Sequence, residues 1–321
     1  MKKINVLLAT YNGSKYISEL INSVLANFEY LDEYDCNIII SDDASTDNTV
    51  SIIESICKID TRVTLLDSNR KGGVKSNFQY LILNTEADYI FFCDQDDLWL
   101  PMKMKIFMDN FSQLEDEGET NILLHSDLCV ADMYLSPIHI SMFQYQKINP
   151  NPTFLKLLIS SSVTGCVMAV SKGLLNIAKS NNIKESIMHD WYMSLIASTH
   201  GVIKFIPKPL ILYRQHDNNQ VGAKSFSLYH ILKLSSFKLK LRDSISSVNK
   251  TKRQAIVFRD DFHVSILSTD LNILNSYIDS FNRSSFRRLY LFMFSNFKKK
   301  GLARNFIFLL VYAFLISKRG E

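Results

Sequence analysis

Short apolar runs alternate with helix-patterned stretches through the first hundred residues, and this rhythm limits the fold more than any other feature of the chain. The apolar runs are residues 4–9, 37–41, 63–66 and 89–93; residues 16–27, 46–59 and 76–83 between them read as helices. In the first helix Ile17, Leu20, Ile21, Val24 and Leu25 share one face. Alternation at this pace predicts a parallel sheet covered by helices on both faces. Ligands of such sheets sit at the carboxyl ends of the strands. Thr10-Tyr11-Asn12-Gly13 follow the first strand, Asp42-Asp43 the second, residues 69–75 the third and Asp94-Gln95-Asp96-Asp97 the fourth. Polar groups from four separate segments thus converge on one edge.

Residues 100–223 mix strand-like pieces (123–130, 163–170, 202–206) with helical ones (172–181, 190–199), and the chain beyond 225 reads mostly as helices without proline. Charge changes at the same place. Residues 1–223 carry 18 Lys+Arg against 26 Asp+Glu, a net of −8, whereas 224–321 carry 18 against 6, a net of +12. All six prolines and eight of the ten glycines precede residue 224. The shift predicts a boundary between 1–223 and a basic region at 224–321. The acidic first part is a poor nucleic-acid binder, so no nucleic-acid partner is expected. Five cysteines at 36, 57, 93, 129 and 166 form no CxxC pair, the pattern of reduced thiols rather than a zinc site. The N-terminus has the charges of a signal peptide but too short an apolar run, so no export signal is expected.

The Asp94-Gln95-Asp96-Asp97 cluster is the sharpest local signal. Carboxylates crowded after a buried strand repel one another unless a cation joins them. Mg²⁺ or Mn²⁺ takes oxygen ligands and also binds a diphosphate; a capped turn before the next helix is the alternative. Asp42 and Asp43 precede a helix start with Ser45 or Thr46 as cap. Either Asp suits a base N–H or a ribose hydroxyl, or capping alone. The chain has neither GxxxxGK[ST] nor GxGxxG, which argues against a kinase or a dinucleotide dehydrogenase. Metal held by carboxylates is the natural substitute for a glycine-rich phosphate cradle. His189-Asp190-Trp191 opens a helix, where Asp190 is either a general base or an N-cap beside a buried Trp. His216, after the strand-like residues 210–213, is a metal ligand, a phosphate contact or a structural His.

Taken in order, Ala9-Thr10-Tyr11-Asn12-Gly13, Ser41-Asp42-Asp43-Ala44-Ser45-Thr46-Asp47, Gly73-Val74-Lys75-Ser76-Asn77-Phe78, Cys93-Asp94-Gln95-Asp96-Asp97-Leu98-Trp99, His189-Asp190-Trp191 and Tyr213-Arg214-Gln215-His216 resemble glycosyltransferase family 2. The likeness is strongest to bacterial rhamnosyltransferase-type members of surface-polysaccharide pathways and spans roughly residues 4–223. It implies an inverting glycosyltransferase with the α/β GT-A fold, a Rossmann-like, mostly parallel sheet flanked by helices. Residues 1–100 would form the nucleotide-binding half and 101–223 the acceptor half. Thr10, Tyr11 and Asn12 would line base and ribose, Asp43 would bond the base beside Asp42, and Lys75 and Asn77 would face the donor. Asp96 and Asp97 match the DxD-type element, with Asp97 preferred as the direct metal ligand and His216 as a further one. Asp190 matches the catalytic base, and Trp99, Trp191 and His189 would contact sugar or acceptor. The implied cofactor is Mn²⁺ or Mg²⁺. The donor would be a dTDP- or UDP-sugar, dTDP-L-rhamnose first, and the acceptor a saccharide, often lipid-linked. Where many relatives have a small residue pair in Thr164-Gly165-Cys166-Val167, this chain has a Cys. A nucleotidyltransferase would want a glycine-rich loop with a basic residue directly after the first strand, where this chain has Thr10 to Ser14 and a Lys only at 15. A nucleotide-sugar-binding subunit without catalysis is opposed by Asp96, Asp97 and Asp190 together.

Residues 306–316 form an apolar run of 11, whereas a spanning helix needs roughly 20. Lys298-Lys299-Lys300 and Arg304 precede it and Lys318-Arg319 follow. Phe286, Leu289, Tyr290, Phe292, Met293, Phe294 and Phe297 make a second apolar stretch beside Arg287 and Arg288. Such helices are expected to rest on an anionic membrane surface. That places the protein in the cytoplasm, peripheral on the inner face of the cell membrane. The alternative is packing on the catalytic domain, or on a second copy as a homodimer.

Overall fold

The computed structural model describes residues 1–216, 234–294 and 302–316; the expected boundary near 224 and Lys298–300, Lys318 and Arg319 lie outside these. The expected alternation is present. β1 (Lys2–Thr10), α1 (Ile17–Phe28), β2 (Tyr34–Asp42), α2 (Thr49–Ile59), β3 (Val63–Asp67), α3 (Val74–Leu83) and β4 (Tyr89–Asp94) follow in order. β2 lies between β1 and β3, β4 pairs the other side of β1, and all are parallel. The chain therefore reverses its march across the sheet between β1 and β4, the point where open α/β sheets bind ligands. The register sets Thr10 beside Asp42 and Ala9 beside Asp94. Three of the polar segments thus leave the sheet from one row.

The second half adds antiparallel pairings to a sheet that stays mostly parallel, as expected. It supplies β5 (Leu98–Trp99), α4 (Lys103–Asp116), β6 (Ile122–Ala131), β7 (Pro137–His139), α5 (Met142–Gln146), α6 (Phe154–Leu157), β8 (Met168–Ser171), α7 (Lys172–Lys179), α8 (His189–His200) and β9 (Val202–Arg214). β8 runs antiparallel between β4 and β6, while β9 is parallel to β6 and antiparallel to β5. Among the described residues the order is β3-β2-β1-β4-β8-β6-β9-β5, with β7 on β6. Residues 163–170 are not one strand: Gly165–Val167 form a 3₁₀ turn before β8 begins. Residues 202–206 and 210–213 are instead one strand. Its register on β6 slips between Ile206 and Pro209, where Pro207 and Pro209 have no N–H for the ladder. Neither Ser45 nor Thr46 caps α2; the Asp47 carboxylate accepts the N–H groups of Thr49 (3.0 Å) and Ser14 (3.2 Å).

Both faces of the central strands are covered, so β1 and β4 are buried along almost their whole length rather than alternating. In β1, Ile4, Val6 and Leu8 enter one core with α1 and α4, and Leu7 and Ala9 enter the other with α3, α7 and α8. The C-terminal helices join this second core. They are α9 (Leu234–Phe262), α10 (Ser268–Ser280), α11 (Ser285–Phe294) and α12 (Leu302–Leu309), which runs on as a π-helical turn at Leu310–Leu315. Phe258 packs on Phe154 and Tyr192, ring centres 5.7 and 6.1 Å apart. Gln254 accepts the Ile187 N–H at 2.8 Å, and Asp261 accepts the Tyr192 hydroxyl and, at 3.1 Å, the Asn182 N–H. Packing on the catalytic domain, the alternative for this region, thus accounts for the inward faces of the helices. Among the described residues no helix is long and apolar enough to cross a membrane.

Gly201 ends α8 against the start of β6, where an added Cβ would lie 1.9 Å from the Asn121 carbonyl oxygen. Gly201→Ala is expected to destabilise the fold by about 1–3 kcal/mol. Thermal melting should show it as a Tm lower by about 2–4 °C per kcal/mol.

Candidate active site

The end of β1 is held by side chains from β2 and β4. Asp42 is fully buried; it accepts the Thr10 hydroxyl at 2.7 Å, the Ser45 hydroxyl at 2.6 Å and the Ser45 N–H at 2.7 Å. It therefore braces the strand ends, as its capping alternative has it, and is not open to a ligand. Asn12 has φ +47°, a left-handed conformation Asn tolerates. Its Oδ1 accepts the Thr46 N–H and its own N–H donates to Ser45 Oγ, both at 2.8 Å. Gln95 clamps Tyr11, accepting its N–H at 2.8 Å and donating to its carbonyl at 2.9 Å. A Cβ at Gly13 would stand 2.5 Å from Gln95 Oε1, so a larger residue there would displace the Gln95 clamp. The Tyr11 ring is exposed.

Asp43, one residue on from Asp42, meets the turn after β3. It accepts the N–H groups of Lys71, Gly72 (2.8 Å) and Gly73 (2.6 Å). Burial alone would raise its pKa, but these three bonds hold it below the ordinary value. Gly72 and Gly73, with φ of +93° and +110°, make the turn possible. Lys75 is half-buried on the first turn of α3. Asn77 does not face the donor as expected: it is buried, and its amide donates to the carbonyls of Ser41 (2.8 Å) and Thr10 (3.3 Å).

The acidic loop after β4 divides its groups between two neighbouring places. Asp94, Asp97 and Cys166 each bring a ligand atom within 4.8 Å of the others. Asp97 is fully buried; Oδ1 accepts the Arg214 N–H at 3.2 Å, and Oδ2 has no hydrogen-bond partner. Burial, then the charges of Asp96 and Asp94, raise Asp97 well above the carboxylate range; burial, then Asp96 and Asp190, raise Asp94. Asp96 meets His216 instead, Oδ2 to Nε2 at 2.8 Å, and the His216 ring packs on Tyr16 at 5.2 Å. The buried Asp97 carboxylate, set among Asp94 and the Cys166 thiol, fits a cation, with the Asp96–His216 pair standing in the neighbouring place. Beneath the loop lies Lys103, fully buried, its ammonium donating to the Cys166 carbonyl at 2.9 Å. Burial pushes its pKa down to about 8 against the pull of the neighbouring acids.

Arg214 fixes the far side. Its Nε donates to the Asp96 carbonyl (2.8 Å), Nη1 to the Met133 carbonyl (2.9 Å) and Nη2 to Glu19 (2.5 Å), over the Tyr16 ring at 4.4 Å. A planar fork with divergent donors suits this task as a Lys does not.

Asp190 stands at the first turn of α8, with its carboxylate accepting the Gly165 N–H at 3.1 Å and the Trp191 N–H at 2.7 Å. Burial pushes its pKa up to about 6 against these two bonds. His189 is buried between Phe78 (4.1 Å) and Phe92 (5.0 Å) and neither ring nitrogen is hydrogen-bonded. Burial pushes it down to about 3, so the ring is neutral. It fills the space under Gly165, where a Cβ would approach its Nε2 to 3.1 Å. Trp99 is likewise 2% exposed, its face covered by the Lys103 ammonium 3.4 Å from the ring centre. The acceptor contacts expected of His189 and Trp99 are therefore not made by these rings, which support the site from below. Trp191 stays half-buried, its indole N–H donating to the Leu157 carbonyl at 2.6 Å.

Residues 5–176, more than half the chain, match the model of glycosyl transferase family 2. The chain belongs to that family. It is 30% identical over 228 residues to the dTDP-rhamnosyl transferase RfbG of Shigella flexneri, covering 67% of this chain and 74% of the relative. It is 34% identical over 98 residues to the poly(ribitol-phosphate) beta-N-acetylglucosaminyltransferase TarS of Staphylococcus aureus, 30% of this chain and 17% of that one. The crystal structure of S. aureus TarS 1–349 in complex with UDP-GlcNAc matches with a TM-score of 0.53 at 16% identity, covering 97% of this chain and 90% of that one. At that identity the likeness establishes the GT-A fold alone. The protein is thus a nucleotide-sugar glycosyltransferase of family 2.

At this edge of the family 2 enzyme the sequence marks Asp94 and Cys166 but assigns no role to Gln95, Lys103 or Arg214. Arg214 lies inside a quoted motif; Lys103 and Cys166 are joined to the loop only by the turn at Gly165–Val167. Arg214→Met is expected to cost roughly 2–3 kcal/mol, the range for hydrogen bonds to a charged group. Denaturant unfolding checks it, and Arg214→Lys should recover only a minor part.

Proposed function

We propose that this enzyme inverts configuration as it moves a sugar, L-rhamnose from dTDP-L-rhamnose by first choice, to a hydroxyl of a lipid-linked or growing surface polysaccharide. The observation that carries the reading is Asp190, a carboxylate aimed by two backbone N–H groups at the same sheet edge as the acidic loop. Its charge is among the causes that hold Asp94 above the ordinary carboxylate value. The likeness to RfbG favours rhamnose.

In this reading residues 1–100 take the nucleotide, 101–223 the acceptor, and 224–321 form an appendage. The exposed Tyr11 ring offers a stacking face for the base. A base N–H would replace one of the backbone donors now on Asp43. Mn²⁺ or Mg²⁺ would be held by Asp97, Asp96 and His216, with Asp94 adjoining, and supplies positive charge to the departing diphosphate. Asp190 removes the acceptor proton as the acceptor oxygen attacks the anomeric carbon opposite the diphosphate. The acceptor oxygen is itself the nucleophile, so the configuration inverts. Gly165 and Trp191 hold the base in line, and His189 beneath them is neutral and adds no competing charge.

Nucleotide release from a panel of dTDP- and UDP-sugars, with a membrane lipid extract as acceptor, tests the reading. Release of dTDP from dTDP-rhamnose is expected, and its loss with EDTA. UDP release from a UDP-hexose or UDP-N-acetylhexosamine instead would keep the class and change the donor. Asp190→Asn should lose on the order of 10²–10⁴-fold in kcat; near-native turnover would overturn its role. Because Asp190 acts only when ionised, wild-type activity should rise as pH is raised through about 6, and the residual activity of the variant should lack that limb.

A further inference from the structure

The helices α11 and α12 are packed side by side, Phe292 on Phe308 with ring centres 6.1 Å apart, and Arg288 Nη1 of α11 donates to the Ile316 carbonyl at 3.2 Å. Their inward side chains, Phe292, Phe308, Val311, Tyr312 and Ile316, are buried. Their outward ones are not. Phe286 is 84% exposed, Tyr290 60%, Met293 52%, Phe306 61% and Phe314 56%. Single exposed apolar residues are ordinary on a protein surface. Five large ones on two adjoining helices are not, and 286, 290 and 293 follow the spacing of one helical face.

Charge identifies the occupant. Between Asp279 and Glu321 the sequence has nine Lys and Arg and no Asp or Glu. Among the described residues Arg283 and Arg287 of this segment are exposed, and a symmetric dimer through this face would bring each against its own copy with no acidic partner from the segment. An anionic lipid surface supplies the missing countercharge and accepts the aromatic side chains at its headgroup boundary. No described helix is long enough to span the bilayer, so the helices would lie on it. We infer that the outward face of α11 and α12 docks the enzyme on an anionic membrane surface. This goes beyond the proposed reaction and does not depend on which sugar is moved.

The test is co-sedimentation of the full chain with vesicles of phosphatidylcholine alone or mixed with phosphatidylglycerol. The expected result is binding at least about tenfold tighter to the mixed vesicles, weakened by added salt. The combined substitution Phe286→Ser, Met293→Ser, Phe306→Ser and Phe314→Ser should abolish that binding. Its Tm and its nucleotide release in solution should stay unchanged, because these side chains lie outside both the core and the site. Equal binding by wild type and variant, or no wild-type binding to anionic vesicles, overturns the inference. So does a dimer in light scattering that the substitution splits while vesicles are ignored, which would make a second copy the occupant. Loss of nucleotide release by the wild type bears on the reaction instead, and vesicle binding is read without it.

Discussion

Four carboxylates, those of Asp94, Asp96, Asp97 and Asp190, reach one edge of the sheet, and their mutual repulsion is the constraint to which the surrounding structure answers. Burial and the neighbouring charges both push Asp94 and Asp97 toward the protonated form. Lys103 counters from beneath, and its own burial is tolerable because Trp99 and the Cys166 carbonyl hold the ammonium. Arg214 restrains the loop through its guanidinium at the Asp96 carbonyl and through its own N–H at Asp97 Oδ1. The proposed divalent cation would join what the fold has forced together.

The same economy separates neighbouring residues with identical side chains. Asp42 and Asp43 leave the end of β2 in different directions, as successive residues of an extended chain do. Asp42 turns inward and ties β1 to the approach to α2 through Thr10 and Ser45. Asp43 turns to the Lys71–Gly73 backbone and stays ionised there. The first braces the strand ends and the second holds the turn before α3.

The first half of the fold was legible because its signals are local. Apolar runs such as 4–9 and 89–93 are buried on both faces and have few alternatives to a parallel strand. The second half depends on contacts distant in sequence. Residues 163–170 look like one strand, yet the chain turns at Gly165–Val167, where Gly165 fits against His189 and donates to Asp190. The positions of Thr10, Asp97 and Asp190 at the site edge were readable from the polar residues that end each strand or open each helix. The inward roles of Asn77, Trp99 and His189 were not, since periodicity does not say which polar or aromatic side chain a neighbouring element will cover. Lys103 is the extreme case, a cation at a helix start that would ordinarily face water and is instead buried by the turn above it.

The contacts of α9 with α8 carry a consequence for how this chain can vary. α8 presents Asp190 at its start, and its far side is pinned by Phe258, Phe262 and Asp261 of α9. The change in composition near residue 224 thus does not mark a place where the C-terminal helices can be exchanged at will. Their inward faces are part of the support for Asp190 and must be inherited with it. Their outward faces answer only to what they meet outside the fold, so one sheet edge can be carried to different surroundings by altering side chains that never touch it.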